Sequence, residues 1–150
     1  MKKFKFPLQA VLTLRRMKEE QALEIYAKSV QECASKRADL ANFTRRADDL
    51  ENLLRQKNGE IFSATMRMAY LHSLRASREE VTRRAKLLED AEKLREKRLG
   101  EFLDRKRKKE ILENLNARQL ENHLAESRRT EEIEIEDLVI SRLGTAKIAG

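Results

Sequence analysis

The sequence predicts an all-α protein, an antiparallel two-helix coiled coil forming one long helical hairpin. Three observations predict it. Of the 150 residues, 39% are Asp, Glu, Lys or Arg, and with Ala and Leu most of these are strong helix formers. One Pro and 4 Gly punctuate the chain, against roughly ten glycines at average usage. Apolar residues recur at seven-residue spacing over much of the length, the period of a coiled-coil seam. With 5% aromatics and 40% hydrophobic residues, the chain lacks the apolar surplus and the turns of a compact globule. Its scarcity of Pro and Gly argues equally against disorder.

The chain is expected to be one domain over residues 1–150. Phe4, Lys5 and Phe6 read as an extended arm. Pro7 follows where a helix should begin, because its fixed φ and missing N–H suit a first turn. The first helix is expected over about 8–57. Its seam runs through 12, 19, 26, 33, 40, 47 and 54, interleaved with 8, 15, 22, 29, 36, 43 and 50, with Arg15, Glu19 and Lys36 as polar exceptions. Leu23 and Val30 widen the stripe on one side. Asn58-Gly59 is the clearest turn signal, so the reversal is expected at about 58–63. A β-hairpin there lacks alternating flanks, and a helix end with left-handed Asn or Gly is the better reading. Ser63 is placed to cap the next helix.

The second helix is expected over about 64–142, with a frayed tail at 143–150. Its seam starts at Leu71 and Leu74 and runs on through Val81, Leu88, Leu99 and Phe102. Around Gly100 to Lys109 the repeat reads as slipping, with Ile111, Leu112, Leu115, Leu120 and Leu124 on a shifted track. The first helix would be about 75 Å long at 1.5 Å per residue, and the second about half as long again. The hairpin then leaves an overhang from about 115 onwards. Ile133, Ile135, Leu138, Val139 and Ile140 are too apolar to be left in water, so a second copy of the chain or another protein should cover them.

Several functions are excluded by composition. No run approaches the roughly 18 apolar residues of a membrane span. The opening stretch is broken by Lys5, Gln9 and Thr13, unlike a secretory signal. Cys33 is the single cysteine, which excludes an intrachain disulfide and fits a reducing, cytoplasmic setting. His72 and His123 lie too far apart on one helix to share a site. No glycine-rich phosphate loop is present, and acids on a solvated helix have no pocket to raise a pKa. The expectation is therefore no catalytic residues, no metal, no cofactor and no small-molecule substrate: not an enzyme.

Charge carries more information. The net charge is +7, and eight Lys/Arg against three acids fall between Arg95 and Lys109. Arg105, Lys106, Arg107, Lys108 and Lys109 circle a helix rather than forming one stripe. A solvated surface or an acidic protein partner explains them better than nucleic acid, and a basic zipper lacks the downstream leucines. Glu131, Glu132, Glu134, Glu136 and Asp137 are opposite in sign and are expected near Arg15, Arg16 and Lys18 if the hairpin ends meet. The low-charge stretch with Met66, Met68, Tyr70, Leu71 and Leu74 suits either hairpin packing or a docking patch.

The opening Phe4-x-Phe6-x-Leu8-x-x-Val11-Leu12-x-Leu14-Arg15, with Glu19, Glu20 and Ala22, resembles the start of the FliJ family of flagellar type III export proteins, relatives of YscO-type injectisome proteins. Tyr70-Leu71-x-x-Leu74, then Lys108-Lys109-x-Ile111-Leu112-x-x-Leu115, then Glu136-Asp137-Leu138 follow in order. The resemblance spans roughly residues 4 to 142. It implies a cytoplasmic, non-enzymatic stalk, peripheral to the inner-membrane export apparatus and touching the membrane only through it. The stalk would insert into the hexameric export ATPase, link it to the export-gate platform protein and escort export chaperones. Tyr70 and Leu74 match the family's gate-contacting pair. Arg15, Arg16, Lys18, Arg128 and Arg129 are the expected ring-facing residues. A self-associating coiled-coil scaffold, a homodimer through the C-terminal overhang, is the alternative; a nucleic-acid-binding basic helix ranks below it.

Overall fold

The structure is a computed structural model describing residues 2–57 and 63–149, with side chains through 146. Two α-helices, α1 (Gln9–Gln56) and α2 (Ala64–Ala149), form an antiparallel helical hairpin, and no strand occurs among the described residues. The expected Asn58-Gly59 turn lies outside the described residues. Ser63 caps α2, its Oγ accepting from the Met66 N–H at 3.1 Å. Leu8 closes the first turn of α1, its carbonyl accepting from Leu12 N at 2.9 Å, with Pro7 in the turn just before.

The chain divides into two compact units, Glu20–Asp104 and Met1–Glu19 with Arg105–Gly150. In the first, small residues are the most deeply covered: Cys33 and Ala47 are fully buried and Ser29 nearly so. Around them the helices are registered by larger groups. Tyr26 stacks on Phe102 with centroids 6.4 Å apart, and Phe43 lies under the Arg46 and Arg84 guanidiniums at 5.4 and 4.6 Å. Arg37 pairs with Glu92 at 3.3 Å, and Arg78 pairs with Asp48 at 3.0 Å and with Glu51. As partners in α1 descend from 51 to 26, those in α2 rise from 78 to 102, the mark of an antiparallel pair.

The other unit holds the larger apolar cluster, in which buried Phe6, Leu12 and Leu112 pack with Phe4 and Leu115. The Phe4 ring lies tilted against His123, centroids 5.5 Å apart, and His123 Nε2 lies 3.0 Å from the Lys2 carbonyl oxygen. The arm therefore extends the hairpin contact well beyond the end of α1. This corrects the overhang, expected from about 115: exposure becomes continuous only from 128, and runs to 146.

Three further expectations change. Every expected seam position of α1 except Leu8 is buried or half-buried, but Leu23 and Val30 point outward, 47% and 37% exposed. The seam of α2 does not slip. Leu74, Val81, Leu88, Arg95, Phe102, Lys109, Asn116 and His123 are all covered at unbroken seven-residue spacing; of the expected shifted track Leu112 and Leu115 are covered, while Ile111, Leu120 and Leu124 are exposed. Charged residues occupy seam positions, so the leucines beside them mimic a shifted track. Finally, α2 continues past Arg142 to Ala149, through Gly144, which lacks a positive φ. Nothing in that stretch breaks a helix, since no proline follows.

Candidate partner-binding site

The charged seam of the second unit explains where the basic run sits. Glu19 and Lys109 face each other across the helices, and Lys109 Nζ lies 2.6 Å from Glu19 Oε2 with both side chains largely covered. The hydrogen bond to Glu19 holds the Lys109 ammonium above its ordinary lysine pKa, against opposing desolvation. Two of the polar exceptions are thus accounted for: Glu19 forms this pair, and Arg15 donates from Nη1 to the Lys108 carbonyl at 2.8 Å. Beside it, Arg16 pairs with Glu113 at 3.4 Å.

Removing Lys109 from the surface leaves Lys106, Arg107 and Lys108 exposed and Arg105 half-buried. Val11, Leu14, Arg15 and Lys18 of α1 and Arg105 and Lys108 of α2 together line a pocket of about 240 Å³. Its floor is apolar, with Val11 39% and Leu14 50% exposed, and its rim is cationic. Such a surface suits a ligand combining carboxylates with apolar side chains.

The expected ring-facing residues do not form one patch. Arg15 and Lys18 share this pocket and Arg16 is tied to Glu113, whereas Arg128 and Arg129 lie in the exposed stretch of α2. The acids at 131–137 are not against Arg15, Arg16 and Lys18 either. The register sets Arg15 and Arg16 opposite 108–113, roughly 27 Å of helix short of Glu131. In the Glu20–Asp104 unit, Tyr70 and Leu74 sit one turn apart on α2, both half-buried, with the Lys57 ammonium 5.9 Å from the Tyr70 ring. Their neighbours Met68 and Leu71 are 72% and 51% exposed, so the apolar surface beside the pair is open. Among the described residues no cluster of metal-ligating side chains occurs, and no helix is long and apolar enough to cross a membrane.

Sequence reasoning missed the pocket because its halves are about 90 residues apart in the chain and only the hairpin register joins them. The signal available was the charge pattern of the seam. Glu19 and Lys109 are opposite charges at equivalent seam positions, which would have placed Arg15 and Lys18 beside 105–108.

A two-helix antiparallel hairpin with a charged seam and no metal-ligating cluster among the described residues defines a helical coiled-coil protein. A family model described as flagellar FliJ protein matches residues 4–144, and the chain belongs to that family. Its members are non-enzymatic helical-hairpin components of the type III export apparatus. Among solved structures, a chain titled as a YscO homolog, CT670, from Chlamydia trachomatis is similar in fold. The TM-score is 0.66 at 16% identity, covering 97% of this chain and 99% of that one. No curated protein matches the sequence.

Proposed function

We propose that this protein is the cytoplasmic stalk of a flagellar type III export apparatus, inserting into the export ATPase ring and linking it to the export gate and to export chaperones. Membership of the FliJ family over residues 4–144 carries the reading. A hairpin held by ion pairs and a buried seam can act by being held at two places and passing position between them. The cationic pocket of Arg15, Lys18, Arg105 and Lys108 is the ring-facing candidate, since positive charge speeds encounter with an acidic lumen and fixes register. Arg16, Arg128 and Arg129 supplement it. Tyr70 and Leu74 are the gate-facing candidates, with the open apolar surface of Met68 and Leu71 beside them.

The test is turnover of the export ATPase with and without the chain at low salt. Wild type is expected to raise turnover and ring assembly, and Lys18→Glu/Lys108→Glu to weaken both without loss of helicity. Tyr70→Ala/Leu74→Ala is expected to spare that activation and reduce binding to the gate platform. An ATPase indifferent to the wild-type chain at low salt rules the reading out.

A further inference from the structure

We infer that the cationic pocket also receives the acidic C-terminal segment of a second copy of this chain, so that the protein self-associates through its own pocket and tail. The proposal stands apart from the stalk reading, because it concerns only the chain with itself. Two surfaces carry it, and both lie in the unit of Met1–Glu19 and Arg105–Gly150.

The first is the pocket, where Val11 and Leu14 are ringed by Arg15, Lys18, Arg105 and Lys108. Arg15 donates to a neutral carbonyl there, which leaves its positive charge in place. The second is the stretch 128–146, exposed at every residue and still helical. Five acids lie between 131 and 137. Glu132, Glu136, Val139 and Leu143 follow one another at spacings of four, three and four, which puts them on one face. That face presents two carboxylates and then two apolar side chains, with Val139 51% and Leu143 59% exposed. The pocket offers the complementary set, cations beside two apolar residues.

The tail cannot reach the pocket of its own chain. Lys108 and Glu132 belong to one uninterrupted α-helix, which holds them about 36 Å apart. The arm reaches the start of the tail, where Lys2 shares a pocket with Thr130, Glu131 and Glu134, but Glu132, Glu136, Val139 and Leu143 stay exposed. Exposed apolar side chains on an acidic helix, and a basic pocket with an apolar floor on the same molecule, meet when two molecules do. Association of this kind is strengthened at low ionic strength and weakened by salt.

Sedimentation equilibrium of the full chain tests it, from about 5 to about 500 μM at about 50 mM salt and again at about 500 mM. At low salt the average mass is expected to rise with concentration above the 17.6 kDa of one chain, and association should weaken at least tenfold at high salt. Two charge reversals at exposed positions separate the surfaces: Lys18→Glu/Lys108→Glu in the pocket and Glu132→Lys/Glu136→Lys in the tail. Each alone is expected to weaken association at least about tenfold, since reversal cancels the pocket's net charge in one variant and most of the tail's in the other. Mixed together, the two variants restore it, because the unaltered tail of one meets the unaltered pocket of the other, and the reversed positions face each other with opposite charge. Circular dichroism of each variant should retain wild-type helicity. A chain that stays monomeric throughout, or reversals that leave association intact, or a mixture without rescue, overturns the proposal. The first of these outcomes leaves the pocket to an acidic segment of a different protein.

Discussion

In the unit built from the two chain ends, Phe6, Leu12 and Leu112 fill the space between helices and a Glu19–Lys109 pair crosses it. In the unit of Glu20–Asp104, Ser29, Cys33 and Ala47 occupy the most buried places, and arginines bind carboxylates and a phenylalanine at the margins. Large side chains hold helices apart and contribute through buried apolar area, about 1.5–3 kcal/mol for each Leu or Phe fully covered. Small ones let the backbones approach and contribute through close contact, with little area to lose. The difference teaches where each unit is vulnerable. One is harmed by removing atoms, the other by adding them.

The largest expected effect comes from Leu12→Ala. Leu12 is completely buried, and truncation should lower unfolding free energy by about 2–4 kcal/mol in urea titrations followed by circular dichroism. Ala47→Leu is the converse experiment in the other unit. Ala47 is equally buried, and overpacking should cost about 1–3 kcal/mol. Amide exchange should localise each loss to its own unit. A Leu12→Ala variant as stable as wild type would mean the Phe6 cluster is not a core.

The seam pair sharpens the comparison. Lys109→Met leaves the Glu19 carboxylate covered without its partner, and a loss of about 1–2 kcal/mol is expected. Glu19→Leu/Lys109→Leu should recover most of it, because an apolar pair suits the neighbouring cluster. The pH dependence follows from the raised Lys109 pKa. A lysine whose pKa is raised by folding stabilises the folded state fully below its unfolded value of about 10.4, and that contribution is lost as pH rises through the folded value. Melting temperature should therefore fall more steeply in wild type than in the Leu/Leu variant above about pH 10. Parallel curves would remove the pair from the ledger of stabilising contacts.

The smallest effect is expected at Gly100→Ala. Gly100 lies inside α2, and a methyl group there meets nothing within 4 Å. Without a positive φ to protect, the substitution should stabilise by about 0.5–1 kcal/mol. A loss instead would show that this point in α2 is used for bending.

Much of the hairpin was legible in order of residues. The seam of α1 could be counted because its apolar positions keep a strict period, and Arg15, Glu19 and Lys36 interrupt without displacing it. The seam of α2 was read less well. Arg84, Arg98, Arg105 and Lys109 sit at covered positions, where hydropathy reads them as solvated, while Leu87, Leu94 and Leu103 are 38%, 38% and 44% exposed and draw the apparent stripe aside. Tyr70 and Leu74 stood out only as part of a low-charge stretch suited to packing or docking; a gate-facing role for them rests on the resemblance, and their half-burial would not by itself single them out.

Local chemistry settled what neighbouring residues decide together: helix formation, the cap at Ser63, and the periodic face that α1 turns inward. Such features depend on spacing along one segment, and spacing is written in the chain. Pairings across the hairpin depended on the register between two distant segments. Only the folded molecule decided that Lys109 turns inward to Glu19, that Phe4 and Phe6 cover α2 beyond the end of α1, and that Lys18 and Lys108 line one pocket. The physical reason is that a charged or aromatic side chain has no fixed preference for surface or seam until a partner of matching charge or shape stands opposite.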